Sequence, residues 1–214
     1  MFKLALAIPS GHTWEADFAL SIVQLTMVMG RVQVPGYKGQ MLQVINKRTS
    51  LLPKSRSELL DDALKCGCSH LLFVDSDQTF PGDLVHRMIK HKKPVIGCNI
   101  ATKSVPSGPT ARQYSKDWPG GDQVYSNGKS GIEKVWRLGC GIMLIDLAVL
   151  KEVPKPWFGV EWNKEMNEFV GEDWFFCQQL EKAGVEIWVD HDVSLEVGHV
   201  GSFTFTHDYV GLPE

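Results

Sequence analysis

The sequence predicts an α/β fold in which a mostly parallel central sheet is flanked by helices, because strand-like and helix-like segments alternate along the chain. Residues 70–74 form an apolar run without polar alternation, which is typical of a parallel strand buried on both faces. The 214 residues, 43% of them hydrophobic and 22% charged, suit a soluble globular protein with a sizeable core. We therefore expect a single domain over residues 1–214.

Hydrophobic spacing and helix-end signals place the elements in the first half of the chain. Gly30 closes an apolar helical pattern, Ser55 and Glu58 have capping-box spacing, and Pro81 suits the first turn of a helix. The predicted strands are 3–8, 41–46, 70–74 and 94–98, and the predicted helices are 16–30, 55–66 and 81–91.

The second half begins with a long irregular segment. Residues 101–135 are rich in Gly, Pro, Ser and Lys and show little periodicity, so they form either a functional loop or a disordered stretch. We expect a mobile loop that closes over a bound ligand. Beyond it we predict a strand and a short helix within 135–150, a helix over 172–183 ended by Gly184, and strands over 185–189 and 193–197.

Charge, apolar content and cysteine usage exclude some classes of protein. The formal net charge of −3 gives no general reason to expect a polyanionic partner. No run of about 18 apolar residues occurs, so we expect no membrane span. The apolar start is too short for a signal peptide, and we expect a cytoplasmic protein of a bacterium or a virus-infected cell. The five cysteines are irregularly spaced, which favours reduced thiols over disulfides or a zinc site.

Asp75-Ser76-Asp77 is the first candidate functional motif. It directly follows the apolar run 70–74, and ligands of open α/β sheets bind beyond the carboxyl ends of the strands. Two carboxylates one residue apart can hold a hard divalent cation, which in turn neutralises a diphosphate. The alternative is an ordinary turn after a strand.

Gly171-Glu172-Asp173-Trp174, at the start of the predicted helix 172–183, is the second candidate motif. Acidic residues in the first turn often only complement the helix dipole. The functional alternative is a catalytic carboxylate that accepts the proton of an attacking hydroxyl or holds that acceptor in place.

His199 and Arg56 are the remaining candidates. Glycines at 198 and 201 leave room for a ligand near His199, which could complete a metal shell with Asp77. Arg56 falls in the first turn of the predicted helix 55–66, where a guanidinium attracts phosphate. The alternatives are a structural histidine and a solvated surface arginine.

The order and spacing of these motifs resemble the GT-A glycosyltransferases, in the broad groups that include the family-2-like and fungal mannan-polymerase-like enzymes. The matching segments are 4–10, 52–77, 139–146, 171–173 and residue 199, which together span nearly the whole chain. The resemblance implies a single GT-A, Rossmann-like domain. It also implies a metal-dependent transferase that moves a sugar from a nucleoside-diphosphate donor, a UDP- or GDP-sugar, to a hydroxyl acceptor.

The resemblance assigns roles to particular residues. It implies donor contacts at Ile8, Pro9, Ser10, Arg56, Asp75 and Ser76. It implies a sugar and acceptor pocket at Gly139, Cys140, Gly141 and Trp174, beside an acceptor-side carboxylate, Asp173 or Glu172. It implies metal ligands at Asp75, Asp77 and His199, and this mainly oxygen set favours Mn²⁺ or Mg²⁺.

The acceptor and the reaction class leave alternatives open. Basic residues outnumber acidic ones in 101–135, so a modified DNA base, as in a phage-type enzyme, is one acceptor, and a sugar or protein hydroxyl is another. Residues 71–79 also resemble the nucleophile motif of haloacid-dehalogenase-type phosphatases, in which Asp75 would attack phosphorus and Asp77 would act as the acid. A non-catalytic module that binds a nucleotide sugar is the third alternative.

Overall fold

The computed structural model describes residues 1–201, 204–206 and 210. The strands are β1 (Phe2–Ser10), β2 (Gln40–Arg48), β3 (His70–Val74), β4 (Gln78–Thr79), β5 (Val95–Gly97), β6 (Arg112–Gln113), β7 (Asp122–Gln123), β8 (Ile132–Val135), β9 (Ile142–Asp146), β10 (Glu161–Asn163), β11 (Glu168–Val170), β12 (Ile187–Asp190), β13 (Gly198–Val200) and β14 (Thr204–Phe205). The helices are α1 (Ala16–Arg31), α2 (Leu52–Lys65), α3 (Leu84–Ile89), α4 (Glu172–Lys182) and α5 (His191–Ser194), with a 3-10 helix at Leu147–Lys151.

The main sheet has seven strands in the order β2-β1-β3-β9-β5-β12-β8. Strands β1, β2, β3, β5 and β12 run in one direction, and β8 and β9 run in the opposite one. The prediction of an α/β fold with a mostly parallel sheet is therefore confirmed.

Helices cover both faces of this sheet, which explains why its central strands lack polar alternation. In β1, Leu4 and Leu6 pack on one face with residues of α1 and α3, while Ala5 and Ala7 pack on the other with residues of α2 and α4. Successive side chains of a strand point to opposite faces, so both sets of positions must be apolar.

Two helix boundaries differ from the sequence prediction. α1 continues past Gly30 to Arg31, and α2 begins at Leu52, a turn before the predicted start. The capping-box prediction is wrong, because Ser55 lies inside α2 and its hydroxyl donates to the carbonyl oxygen of Lys47 at 3.4 Å. Pro53, in the first turn, is the signal that marks the observed start.

Two further elements also differ. α3 spans only Leu84–Ile89, so Pro81 lies before the helix instead of in its first turn. The predicted strand 193–197 is wrong, since α5 covers Val193 and Ser194 and the side chain of Asp190 accepts a hydrogen bond from the Val193 amide. This capping bond starts a helix directly at the end of β12.

The segment 101–135 contains three short strands. β6 pairs with β7, and β8 forms an edge of the main sheet by pairing with β12. The mobility of the segment stays a prediction.

The strand directions gather several loops at one edge of the main sheet. β1, β3 and β5 end there, and β9 begins there because it runs in the opposite direction. The Asp75 amide consequently donates to the carbonyl oxygen of Gly141 at 2.9 Å. Within the described part of the chain, no helix combines the length and the apolar character needed to cross a membrane.

Candidate active site

Two short strands bring Asp77 and His199 together at this edge. β4 pairs antiparallel with β13, so that Gln78 lies opposite His199, and the Val200 amide donates to the Asp77 carbonyl oxygen at 2.8 Å. His199 Nε2 consequently lies 3.5 Å from Asp77 Oδ2.

A lysine and a histidine lie against the carboxylate of Asp77. Lys103 Nζ donates to Asp77 Oδ2 at 2.5 Å, and this is the same oxygen that faces His199 Nε2. Burial alone would raise the pKa of Asp77, but the hydrogen bonds and charges of His199 and Lys103 outweigh it and lower the pKa to about 2. Asp77 therefore carries a full negative charge at neutral pH.

The orientation of the His199 ring is set by the backbone. Its Nδ1–H donates to the carbonyl oxygen of Ala101 at 2.9 Å, which leaves Nε2 facing Asp77. A hydrogen bond of this kind fixes the tautomer of metal-binding histidines. When the ring is neutral, Nε2 has a free electron pair for a cation.

The Asp77–His199 pair is not a complete set of metal ligands. Across residues 1–201, 204–206 and 210, no group of three or more His, Cys, Asp and Glu side chains has an arrangement that could hold a metal ion. Asp75, the third ligand that the sequence implied, has both its carboxylate oxygens hydrogen-bonded to Arg56.

Arg56 links the two acidic motifs. Its Nη2 donates to Asp75 Oδ1 and Oδ2 at 2.9 and 3.1 Å, and its Nε donates to Glu172 Oε1 at 3.2 Å. Burial raises the pKa of Asp75, and Arg56 partly offsets that rise. The prediction that Arg56 lies in the first helical turn is wrong, because it lies inside α2, and only 2% of its side chain is exposed.

A cavity of about 240 Å³, here called the Asp77 cavity, lies at the ends of β1 and β3. Its lining includes most of the residues that the sequence assigned to the donor and the metal, namely Pro9, Ser10, Asp75, Ser76, Asp77 and His199. The other lining residues are Gly11, Thr49 and Leu52. Ile8 and Arg56, which the sequence also assigned to the donor, do not line the cavity, because both side chains are buried.

A second cavity of about 270 Å³, here called the Asp173 cavity, lies at the start of α4. Just over half of its lining residues are apolar or aromatic, and Asp173 is the carboxylate that the start of α4 contributes. The full lining is Thr102, Pro109, Thr110, Arg112, Met166, Glu168, Phe169, Val170, Gly171, Asp173 and Trp174. Glu172 is not among them, because its carboxylate contacts Arg56.

Asp173 has an unusual electrostatic environment. Burial raises its pKa, the neighbouring charge of Glu172 raises it further, and the result is a pKa of about 6. The Trp174 amide donates to Asp173 Oδ1 at 2.7 Å and partly offsets the rise. A carboxylate with this pKa can gain and lose a proton near neutral pH.

The turn 139–141 packs behind the carboxylates. A Cβ on Gly141 would lie 3.3 Å from Asp75 Oδ2 and 2.7 Å from the side chain of Ile100, so the close approach requires glycine. Cys140 is buried, and its carbonyl oxygen accepts from Arg56 Nη1 at 3.4 Å. The lining of the Asp173 cavity contains Trp174 but none of these three turn residues.

Sequence reasoning missed two contributors. Asn46 Nδ2 donates to the carbonyl oxygen of Ile8 and to Ser10 Oγ, both at 2.8 Å, and so holds the end of β1. A polar residue at the end of the predicted strand 41–46 was a usable signal for this role. Lys103 carried no comparable signal, because only the tertiary fold brings it to Asp77.

Comparisons with known proteins agree with this architecture at the level of the fold. The chain is similar to the viral protein A197 from STIV, with a TM-score of 0.63 and 16% identity over 100% of this chain and 98% of that one. At this identity the likeness shows the fold alone, and it confirms the prediction of a GT-A-type fold.

Two weaker structural similarities were also found. S. aureus TarS in complex with UDP-GlcNAc has a TM-score of 0.46 and 14% identity, over 90% of this chain and 56% of that one. A Drosophila β1,4-galactosyltransferase 7 mutant in complex with manganese, UDP-Gal and xylobiose has a TM-score of 0.49 and 12% identity, over 94% of this chain and 71% of that one. The sequence matches no protein-family model and no curated protein.

Proposed function

We propose that this chain is a metal-dependent glycosyltransferase that moves a sugar from a nucleoside diphosphate, a UDP- or GDP-sugar, onto a hydroxyl acceptor. The observation that carries the proposal is a pair of cavities whose aspartates differ in pKa, which is lowered for Asp77 and raised for Asp173. Asp77 and His199 line one cavity, and Lys103 is ion-paired with Asp77. Asp173 lines another cavity, and the Asp75–Arg56–Glu172 contacts connect the two motifs.

The residues of the Asp77 cavity fit a divalent cation bound together with a diphosphate. Asp77 offers a permanently charged oxygen ligand, and His199 offers Nε2 in an orientation fixed by Ala101. Mg²⁺ and Mn²⁺ are commonly held by one or two protein side chains, with substrate phosphate oxygens and water completing the shell. When bound, the cation supplies positive charge that stabilises the departing nucleoside diphosphate.

Lys103 contributes to donor binding in this proposal. Its ammonium group neutralises Asp77 in the structure, at a distance of 2.5 Å. If a cation occupied Asp77, Lys103 would be free to pair with an oxygen of the diphosphate, a favourable partner for an ammonium group. Ser10, Thr49 and Ser76 line the same cavity and supply hydroxyl groups for the donor.

Asp173 acts as the general base. The acceptor hydroxyl gives its proton to Asp173, its oxygen forms the new bond to the anomeric carbon, and the bond from that carbon to the diphosphate oxygen breaks. The leaving diphosphate keeps the electron pair, and the anomeric centre is inverted. Glu172 is less suited to this role, since its carboxylate is paired with Arg56 and lies outside the Asp173 cavity lining.

A thermal-shift screen of nucleoside diphosphates with and without Mn²⁺ tests the proposal, because a ligand that binds the native state raises its apparent stability. We expect one base to stabilise the protein only with Mn²⁺, and Asp77→Ala to remove that effect while the protein stays folded. Asp83→Ala, at an exposed aspartate before α3, is the matched control. Absence of metal-dependent stabilisation by every nucleotide would overturn the proposal.

The two alternatives have their own signatures. Donor binding without turnover, with simple sugars, glycans and DNA as acceptors, would indicate a binding module. Phosphatase activity that requires Asp75 would indicate haloacid-dehalogenase chemistry, in which Asp75 is the nucleophile. The structure disfavours that role, because both carboxylate oxygens of Asp75 accept hydrogen bonds from Arg56.

A further inference from the structure

A third cavity, of about 390 Å³, has two aromatic and three charged side chains in its lining, together with aliphatic residues, Gln113 and Gly184. We call it the aromatic groove and define it by Tyr114, Lys134, Trp136, Glu181 and Glu186. None of these side chains takes part in the reaction proposed above.

Tryptophan contacts join the wall of the aromatic groove to the wall of the Asp173 cavity. The rings of Trp136 and Trp174 are 5.9 Å apart, and Trp174 lines the Asp173 cavity. The ring of Tyr114 extends the row, 5.7 Å from that of Trp136. Trp174 and Glu181 are two turns apart on one face of α4, about 10 Å along its axis. The groove therefore begins about two helical turns along α4 from the Asp173 cavity, a separation that an extended ligand can span.

Trp136 is held in a fixed position at the centre of the groove. Its Nε1 donates to Glu181 Oε1 at 3.2 Å, and the guanidinium of Arg137 stacks 3.8 Å from the centre of its ring. A Cβ on Gly121, where φ is +72°, would lie 3.0 Å from the Trp136 ring. Tyr114, by contrast, is 64% exposed and presents its ring to solvent.

We propose that the aromatic groove binds a sugar ring of an extended saccharide acceptor, whose terminal hydroxyl lies beside Asp173. This inference rests on the proposed glycosyl transfer. Aromatic rings pack against the apolar C–H faces of a sugar, and carboxylates such as those of Glu181 and Glu186 accept hydrogen bonds from its hydroxyl groups.

The charges of the groove favour a neutral glycan over a nucleic acid. Lys134 is paired with Glu186 at 2.9 Å, and Arg137 is paired with Glu181 at 2.8 Å. Binding of a phosphate backbone depends on an excess of cationic side chains that displace counterions. These paired cations leave no such excess in the groove, so a saccharide fits it better than DNA.

Binding of defined oligosaccharides, measured without donor or metal by saturation-transfer NMR and tryptophan fluorescence, tests the inference. The probes are neutral hexasaccharides of β-1,4-glucose, α-1,4-glucose, β-1,4-xylose and α-mannose, their monosaccharides, and a short single-stranded DNA. We expect at least one hexasaccharide to bind more tightly than its monosaccharide. Tyr114→Ala should weaken that binding about fivefold, the size expected for one aromatic contact.

Two matched variants separate the groove from general effects. Tyr114→Phe keeps the ring and should retain binding. Trp14→Ala removes another exposed aromatic, which lines neither cavity nor the groove, and should also leave binding unchanged. The inference is overturned if no hexasaccharide binds, if Tyr114→Ala binds like the wild type, or if the DNA binds more tightly than every saccharide.

This experiment and the nucleotide screen can fail independently. Metal-dependent nucleotide binding that requires Asp77, together with no glycan binding, would remove only the groove assignment. Glycan binding that requires Tyr114, without any metal-dependent nucleotide binding, would remove the glycosyltransferase proposal.

Discussion

The Asp77 and Asp173 cavities each contain a partly buried aspartate, yet the two carboxylates have opposite electrostatic environments. His199 and Lys103 lower the pKa of Asp77 to about 2, whereas burial and Glu172 raise that of Asp173 to about 6. Pairs of acids whose surroundings push their pKa values apart are typical of active sites that need one fixed charge and one exchangeable proton. The comparison assigns cation binding to Asp77 and proton transfer to Asp173.

The largest predicted effect concerns catalysis by Asp173. Asp173→Asn cannot accept a proton, so we expect kcat to fall about a thousandfold, within the range for loss of a general base. Metal-dependent nucleotide binding should stay at the wild-type level, since Asp77 is intact. Initial-rate kinetics and nucleotide titrations measure both quantities. Wild-type kcat/KM should rise with pH through about 6, the pKa of Asp173 in the ligand-free protein.

Asp83→Asn is the control for this variant, because Asp83 is exposed and lines neither cavity. A kcat for Asp173→Asn within a few-fold of the control would remove Asp173 from the mechanism.

The buried ion pairs of Arg56 with Asp75 and Glu172 predict a large effect on stability. Arg56→Met leaves Asp75 and Glu172 without their buried partner, so we expect the free energy of unfolding to fall by about 3 kcal/mol. Arg137→Met is the matched comparison: Arg137 is also buried, but its partner Glu181 is 54% exposed, and the loss should be smaller. Urea denaturation at pH 7 gives both values. Equal losses would show that Arg56 is no more important to stability than Arg137.

The raised pKa of Asp173 predicts that its ionised form lowers the free energy of unfolding. Its pKa is about 6 in the folded protein against an ordinary 3.8, so its proton stabilises the native state below pH 4. That contribution is lost as the pH rises through 6. Asp173→Asn avoids the loss and should be about 3 kcal/mol more stable than wild type at pH 8, with little difference at pH 4. Denaturation curves at the two pH values measure this, and equal stability at pH 8 would contradict the raised pKa.

The smallest predicted effect concerns Lys103, and its sign depends on the ligand. Lys103→Met frees Asp77 from a competing cation, so Mn²⁺ alone should bind about two- to fivefold more tightly, the range expected for a partly exposed ion pair. The nucleoside diphosphate should bind a few-fold more weakly in the presence of Mn²⁺, because a phosphate partner is lost. Calorimetric titration separates the two. Weaker binding of both ligands would show that Lys103 does not compete with the cation.

Much of the fold could be predicted because the central strands have a strong local signal. The apolar runs of β1 and β3 indicate strands buried on both faces, and Gly184 marks the end of α4. The predicted strand 193–197 failed because an alternating local pattern was overridden by the Asp190 cap. The opposite direction of β8 and β9 has no local signal, since it depends on which strands become neighbours.

The candidate site was only partly predictable for a related reason. Asp77 and Asp173 could be located as acidic residues at a strand end and a helix start. Their different pKa values come from groups far away in sequence, such as Lys103 and His199 for Asp77. The buried position of Arg56 between Asp75 and Glu172 likewise follows from the packing of α2 against the sheet.

A double-mutant cycle between Asp77 and His199, measured on the Mn²⁺-dependent affinity for the nucleoside diphosphate, tests most directly whether the two residues hold one ion. If they share the cation, each single variant, Asp77→Asn or His199→Gln, removes most of the metal effect. The double variant should then bind about as weakly as either single one, a strongly non-additive result. Additive losses, with residual Mn²⁺ dependence in both single variants, would contradict a shared site.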